Sequence, residues 1–277
     1  MEFGSRISSK LLTRVSGAMS AAPATNANAK ADESPPRPNP PRTNPPRPMP
    51  PAISFPTNKH QVYYSIDVEC VAVGYDHNAR AVAQISLVNQ YEHAVLNLYV
   101  LPSVGIVSYL TPLTGLNRDI LNRNGIPFHA AMQILKQHLP ANAVLVGQNI
   151  FKDAEWLGLK EGEDFAQLMD LTGLFRIWNE KYKSYSVFSQ DHLAKVLLGW
   201  EVGANGGGHD AVGDAVKSIR LFNLYQGTHK NPEKWEEVCA RLLSVEPEAS
   251  FAKRNPTFEG VCMGNRKTCQ CGAPFFG

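Results

Sequence analysis

Cysteine and net charge are both scarce in this chain of 277 residues. Five cysteines, odd in number and without a regular framework, argue against a disulfide-stapled secreted domain and for a reducing compartment. No apolar run reaches the roughly 18 residues of a membrane-spanning helix, so the chain is read as soluble, with no membrane partner. A formal net charge of +2 excludes a nucleic-acid clamp that works by bulk basicity. The charge is unevenly spread: residues 1–60 carry 8 Lys+Arg against 3 Asp+Glu, residues 61–228 carry 12 against 16, and residues 229–277 carry 7 against 6. A polyanion bound by the acidic middle segment must be met by local basic patches or by metal ions.

Acids are absent between Glu2 and Asp32, a stretch that holds Arg6, Lys10 and Arg14 among Ser and Ala. That pattern fits a mitochondrial presequence, or an appended leader beginning MEFGS. Residues 35–51 repeat PPRPN, PPRTN and PPRPM with a period of five, which favours an extended polyproline helix. It is read either as a ligand for an SH3-type partner or as a solvated spacer. Residues 1–57 are therefore assigned to a disordered tail, residues 58–230 to the main domain, and residues 231–277 to a C-terminal helix and cysteine-containing tail.

With 43% hydrophobic residues and a mean hydropathy of −0.24, the chain can bury one good-sized core. QVYYSIDVECVAV, RAVAQISLVN and AVLNLYVLP read as three strands in meander. PFHAAMQILKQHL has helical periodicity, AVLVGQN reads as a fourth strand, KDAEWLGL as a helix start and FAQLMDL as a fifth strand. VFSQDHLAKVLLGW reads as an amphipathic helix, GANGGG as a flexible loop and HDAVGDAVKSIRLFNLYQ as a long helix. This order predicts an α/β fold with a mixed five-stranded sheet flanked by helices on both faces.

Within the first strand, SIDVEC places Asp67 and Glu69 one residue apart. Alternate strand residues share a face, so the two carboxylates point the same way and repel. Either the strand is a solvated edge, or a cation neutralises the pair. Asp153 follows the fourth strand in GQNIFKDAEWL, and Asp214 follows His209 by five residues in GGGHDAVGDAV. Five residues separate the last two by about 140° around a helix, so they converge only if His209 sits on the glycine-rich loop or the frayed first turn.

Asp67-x-Glu69, Asp153 and His209-x4-Asp214 resemble, in order and spacing, the motifs of the DEDDh exonucleases, which have a ribonuclease H-like fold. The likeness is nearer to the eukaryotic RNA exonuclease branch that includes the ribosomal-RNA-processing and interferon-stimulated enzymes. IDVECVAVG is similar to that branch's first motif, LVGQNIFKDAEWL to its second, and DHLAKVLLGW with GGGHDAVGDAVKSIRLFNLY to its third; SYLTPLTGLNRDIL resembles the segment after its third strand. The resemblance covers about residues 62 to 226.

It implies that Asp67, Glu69, Asp153 and Asp214 hold two Mg2+ or Mn2+ ions, hard cations that suit oxygen ligands. Two such ions about 3.5–4 Å apart clamp the attacking and leaving oxygens of a phosphodiester displacement. His209, of an amino acid whose ordinary pKa is about 6.5, is the implied base for the attacking water. Glu69 is implied to accept from a terminal 3'-hydroxyl, which makes the reaction a 3'-5' exonucleolytic release of nucleoside 5'-monophosphates. The implied substrate is RNA with a free 3' end, and the implied place the nucleus or cytoplasm, with the mitochondrion left open by residues 1–30. A single-stranded DNA exonuclease and a non-catalytic RNA-binding scaffold are the rival readings.

In the second motif Gln148, followed by Asn149, stands where the branch carries a histidine, and Cys70 replaces its methionine, a packing position. Cys70, Val71, Gln148 and Asn149 are carried as candidate substrate contacts. So are Lys181 and Lys183 of KYKSY, which interleaves basic and aromatic residues and reads equally as a backbone-tracking patch or a solvated turn. Asp210 is read as a helix N-terminal acid, Asp170 as a turn or helix cap, and His192 as surface or satisfied core. Cys262, Cys269 and Cys271 are candidate ligands of a structural Zn2+, with Cys239 or a histidine as the fourth, or else free thiols in a loose tail.

Overall fold

A computed structural model of the chain describes residues 61–200 and 210–275. The Pro-rich repeat, the candidate leader, the expected boundary at 57/58, the GANGGG loop and His209 lie outside the described residues.

Strands β1 (Val62–Ala72), β2 (Arg80–Asn89) and β3 (Ala94–Val100) form an antiparallel meander. Short helices α1 (Thr111–Thr114) and α2 (Arg118–Asn124) lead into the two-residue strand β4 (Gly125–Ile126). Helix α3 (Phe128–His138), strand β5 (Ala143–Gly147), helix α4 (Phe151–Leu157) and strand β6 (Gln167–Asp170) follow. The sheet order is β4-β3-β2-β1-β5-β6, with β1–β5, β5–β6 and β3–β4 parallel. It holds the five expected strands plus β4 at the edge, a pairing too short to leave a periodic signal.

Next come α5 (Leu171–Leu174), a hairpin of β7 (Ile177–Asn179) and β8 (Ser184–Ser186), and α6 (Gln190–Leu193). Helix α6 starts at Gln190 because Ser189 caps it, its hydroxyl accepting the His192 N–H at 3.3 Å. It runs into a π turn (Ala194–Leu198) that stops at left-handed Gly199. The long helix α7 (Ala211–Thr228), helices α8 (Pro232–Ser244) and α9 (Phe251–Arg254), and strands β9 (Thr257–Phe258) and β10 (Val261–Cys262) complete the chain.

Both sheet faces are covered, and β5 shows why its sequence AVLVG lacks polar alternation: all five residues are buried. Val144 and Val146 join a core with Ile219 and Phe222 of α7 and Val238 and Leu242 of α8. Leu145 faces the other way, into a core with Ile66, Val68, Leu135 and Leu157. Residues 231–275 thus share the compact unit of the sheet. The loose tail expected around the C-terminal cysteines is corrected to a docked hairpin: Val261 is fully buried beside Ala72 and Leu110, and the Ser108 hydroxyl donates to Glu259.

Candidate active site

The last β1–β5 pair is Ser65–Val146, so β1 continues beyond its parallel neighbour while β2 still covers its other edge. Ending β5 exposes backbone on that side of β1, and helix α4 closes the gap: the Val68 N–H donates to Asp153 Oδ1 at 3.0 Å. This opening lies at the carboxyl ends of the parallel strands, the place where open α/β sheets present their clefts.

Tyr63, Ser65, Asp67 and Glu69 share the β1 face under α7, whereas Ile66, Val68 and Cys70 enter the opposite core. Just past Glu69 the pairing slips, since Glu69 faces Gln84 but Cys70 faces Val82; Ala83 is the extra residue of a β-bulge. Asp214 reaches the same place from the first turn of α7, whose N-terminus Asp210 caps by accepting the Gly213 N–H. Gln190 holds that turn from α6, its Nε2 donating to the Asp214 carbonyl at 2.9 Å and to Ser218 Oγ at 2.8 Å.

Asp67, Glu69 and Asp214 each place an oxygen within 4.8 Å of the others. Asp214 is 6% exposed, Asp153 8% and Glu69 9%, so water screens their mutual repulsion poorly. Burial first, then the charges of Asp153, Asp214 and Glu69, push the Asp67 carboxyl well above the usual range, with Lys217 pulling the other way. Burial likewise lifts Asp153 to about 7 against the Val68 hydrogen bond. Both Asp153 and Asp214 sit in first helical turns, where the helix dipole favours an anion.

Lys217, one turn on from Asp214, donates to Asp214 Oδ1 at 2.7 Å and to Asp191 Oδ1 at 3.3 Å. Burial opposes its charge, but Asp214 and Asp191 outweigh that and raise its pKa. Sequence reading missed this residue. Its signal was a lysine three positions after the motif aspartate, one turn along the same side of the helix.

No family model matches the chain. It is 29% identical over 165 residues to RNA exonuclease 4 of Candida glabrata, covering 60% of this chain and 60% of that relative. It is 27% identical over 195 residues to the apoptosis-enhancing nuclease of Rattus norvegicus, covering 70% of this chain and 55% of the relative. The fold matches the Saccharomyces cerevisiae Pan2 pseudoubiquitin hydrolase–RNA exonuclease module, solved in complex with AAGGA RNA, with a TM-score of 0.55 and 20% identity over 66% of this chain and 32% of that one. The chain is thus similar to RNA exonucleases and other nucleases in sequence and to the Pan2 module in fold, in keeping with the DEDDh resemblance of its motifs. It spans about a fifth to three-fifths of the length of the first curated relatives it matches.

The remaining candidates divide. Cys70 and Val71 are corrected to packing residues: Cys70 is 8% exposed in the core behind β1, and Val71 is fully buried beside Leu116 and Leu121. Gln148 turns its Nε2 away into the protein, donating to Thr172 Oγ1 at 2.9 Å and the Phe188 carbonyl at 3.0 Å. Asn149 takes a left-handed conformation and donates its N–H to Asp170, which also caps α5 through Thr172. Lys181 and Lys183 stand on the exposed β7–β8 turn, Lys181 over the Tyr182 ring and Lys183 paired with Glu180. His192 is core, stacked on Phe188.

Proposed function

We propose that this domain is a divalent-metal-dependent 3'-5' exoribonuclease that releases nucleoside 5'-monophosphates. The observation that carries the reading is the meeting of Asp67, Glu69 and Asp214 within 4.8 Å, with Asp153 packed behind Val68. Four hard oxygen donors, of which Asp67 and Asp153 have raised proton affinity, fit Mg2+ or Mn2+, which take carboxylate ligands and keep several waters. Bound there, such ions would supply the positive charge that stabilises a phosphodiester transition state and would lower the proton affinity of the attacking water.

The chain's own groups account for the rest of the reading. Asp67 and Asp214 would hold the ions from rigid elements, and Asp153 is kept in place by the Val68 N–H. His209 takes the proton of the attacking water, and Glu69 accepts from the terminal 3'-hydroxyl, so that only a chain end is positioned for cleavage. The β7–β8 hairpin offers Tyr182 and Tyr185, 65% and 42% exposed, and Arg176 over the Tyr185 ring as a stacking and backbone-tracking surface.

The names of the relatives and the RNA bound to Pan2 favour RNA over DNA. The test is hydrolysis of matched end-labelled RNA and DNA oligonucleotides before and after dialysis from Mg2+ and Mn2+, with either ion restored. Metal-dependent mononucleotide release from a 3'-hydroxyl RNA end is the expected result. No release with Mn2+ from RNA overturns the enzyme reading, and release from DNA alone overturns the substrate.

A further inference from the structure

The C-terminal cysteines converge with a histidine that lies far away in the chain. His77 sits on the turn between β1 and β2. Its Nδ1 is 3.2 Å from Cys271 Sγ, 3.7 Å from Cys269 Sγ and 3.8 Å from Cys262 Sγ. Cys269 Sγ is 3.4 Å from both Cys262 Sγ and Cys271 Sγ, and all four atoms lie within 4.8 Å of one another. Four ligands at the corners of a tetrahedron around zinc, with Zn–S about 2.3 Å and Zn–N about 2.0–2.1 Å, require S···S edges of about 3.8 Å and S···N edges of about 3.6 Å. The two S···S edges of 3.4 Å and the three S···N edges of 3.2, 3.7 and 3.8 Å lie close to these, the shorter ones set to widen as an ion enters.

From this geometry we propose that His77, Cys262, Cys269 and Cys271 bind one structural Zn2+ that clasps the C-terminal hairpin to the β1–β2 turn. The surroundings orient three of the four ligands. His77 Nε2 lies 3.3 Å from the Pro274 carbonyl, which can only accept, so Nε2 carries the hydrogen and Nδ1 turns its lone pair to the sulfurs. The Gly264 N–H donates to Cys262 Sγ at 3.4 Å and the Ala273 N–H to Cys271 Sγ at 3.5 Å, bonds that favour thiolates.

The two partners of the clasp are also joined around the metal position. The Cys262 N–H donates to the Tyr75 carbonyl at 2.8 Å, Arg80 Nη2 to the Cys262 carbonyl at 2.9 Å, and Asn78 Nδ2 to the Pro274 carbonyl at 2.7 Å. Phe275 stacks on the His77 ring with centroids 4.4 Å apart. Four protein ligands close the coordination shell, which makes the site structural rather than catalytic. A disulfide explains the cluster less well: it would join two of three sulfurs and leave the third and the oriented imidazole without a role.

This clasp does not depend on the proposed reaction, and its test is separate from any nuclease assay. The full chain, expressed with zinc available and purified reduced, is expected to hold about one zinc per chain by elemental analysis. Exchange with Co2+ is expected to give tetrahedral d–d bands and thiolate-to-cobalt charge transfer. His77→Ala and Cys271→Ser should each lose most of the zinc, whereas Cys239→Ser, on α8 outside the cluster, should keep it. A reduced wild-type chain that holds no zinc and gives no cobalt charge transfer overturns the proposal. So does iron found in place of zinc, or full zinc retained in both ligand variants. If those variants fail to fold, metal content and the cobalt spectrum of the wild type decide.

Discussion

The carboxylates at the sheet centre and the thiols of the C-terminal hairpin both gather groups that disfavour one another when ionised, yet the fold holds them together by different means. Asp67, Glu69, Asp153 and Asp214 ride on β1, α4 and α7, whose cores include Ile66, Val68, Ala154 and Ile219. Relieving their repulsion by moving apart would unpack those cores, and burial on that rigid frame raises the proton affinity of Asp67 and Asp153, with the neighbouring carboxylates adding to the rise at Asp67. The thiol cluster rides on two-residue strands and turns with few buried apolar neighbours. Hard oxygens on a rigid frame would keep an open, reactive place for a cation, while soft sulfurs on a slight frame would use the proposed cation as part of the frame.

The sharpest break between the two regions is expected from Asp67→Ala. Loss of a ligand central to charge stabilisation of several kcal/mol should lower mononucleotide release by about a thousandfold or more, since each 1.4 kcal/mol is about tenfold. Zinc content should be unchanged, because His77, Cys262, Cys269 and Cys271 form a cluster separate from the carboxylates. A variant that loses zinc along with activity would show that the two regions are not independent. His209→Ala should slow release by about a hundredfold or more, the usual contribution of a general base, while manganese binding by titration calorimetry stays close to wild type. Lost manganese affinity would make His209 a ligand instead of a base.

A smaller effect separates the regions by pH. The folded-state value of Asp153, about 7, exceeds its ordinary 3.8, and Asp67 is shifted the same way. Between those values the folded protein holds a proton that the unfolded chain releases, so stability is highest at the acidic end and falls as pH rises through the window. In buffer free of Mg2+ and Mn2+ but without chelator, which leaves the thiol site loaded, urea unfolding should show a loss of about a few kcal/mol from pH 5 to pH 8. Saturating Mn2+ should flatten that slope. Stability that rises with pH in metal-free buffer would contradict the shifted carboxylates.

The sequence made one region far more legible than the other. Asp67 and Glu69 could be read as partners because strand alternation is local, and Asp153 and Asp214 because each opens a helix beside a recognisable motif. Asp170 as a cap followed from its place at a strand end, and the structure adds the Asn149 N–H to its partners. The histidine of the thiol cluster was beyond reach for a physical reason: His77 and Cys262 lie 185 residues apart, and no periodic pattern links a turn to a distant hairpin. Spacing alone also missed β4, whose two residues are defined by pairing, and it offered Cys70 and Val71 to the substrate where burial assigns them to the core. Gln148 occupied the motif position of a ligand-facing residue, but its amide bonds inward to Thr172 and Phe188.

The smallest expected effect tests whether Lys217 does for the carboxylates what zinc does for the thiols. Lys217 is 7% exposed, and its ammonium lies 2.7 Å from Asp214 and 3.3 Å from Asp191, so it offsets anionic charge from within the frame. Lys217→Met keeps the length and apolar stem but removes that charge. In Mg2+- and Mn2+-free buffer the variant should lose about 1–3 kcal/mol of stability, because Asp214 and Asp191 keep their burial and lose a cation. With Mn2+ saturating, added positive charge on the same carboxylates should reduce the loss to below about 1 kcal/mol. An equal loss in both conditions would mean that Lys217 contributes packing over Trp200 rather than charge, and that only the rigidity of β1, α4 and α7 holds the carboxylates together.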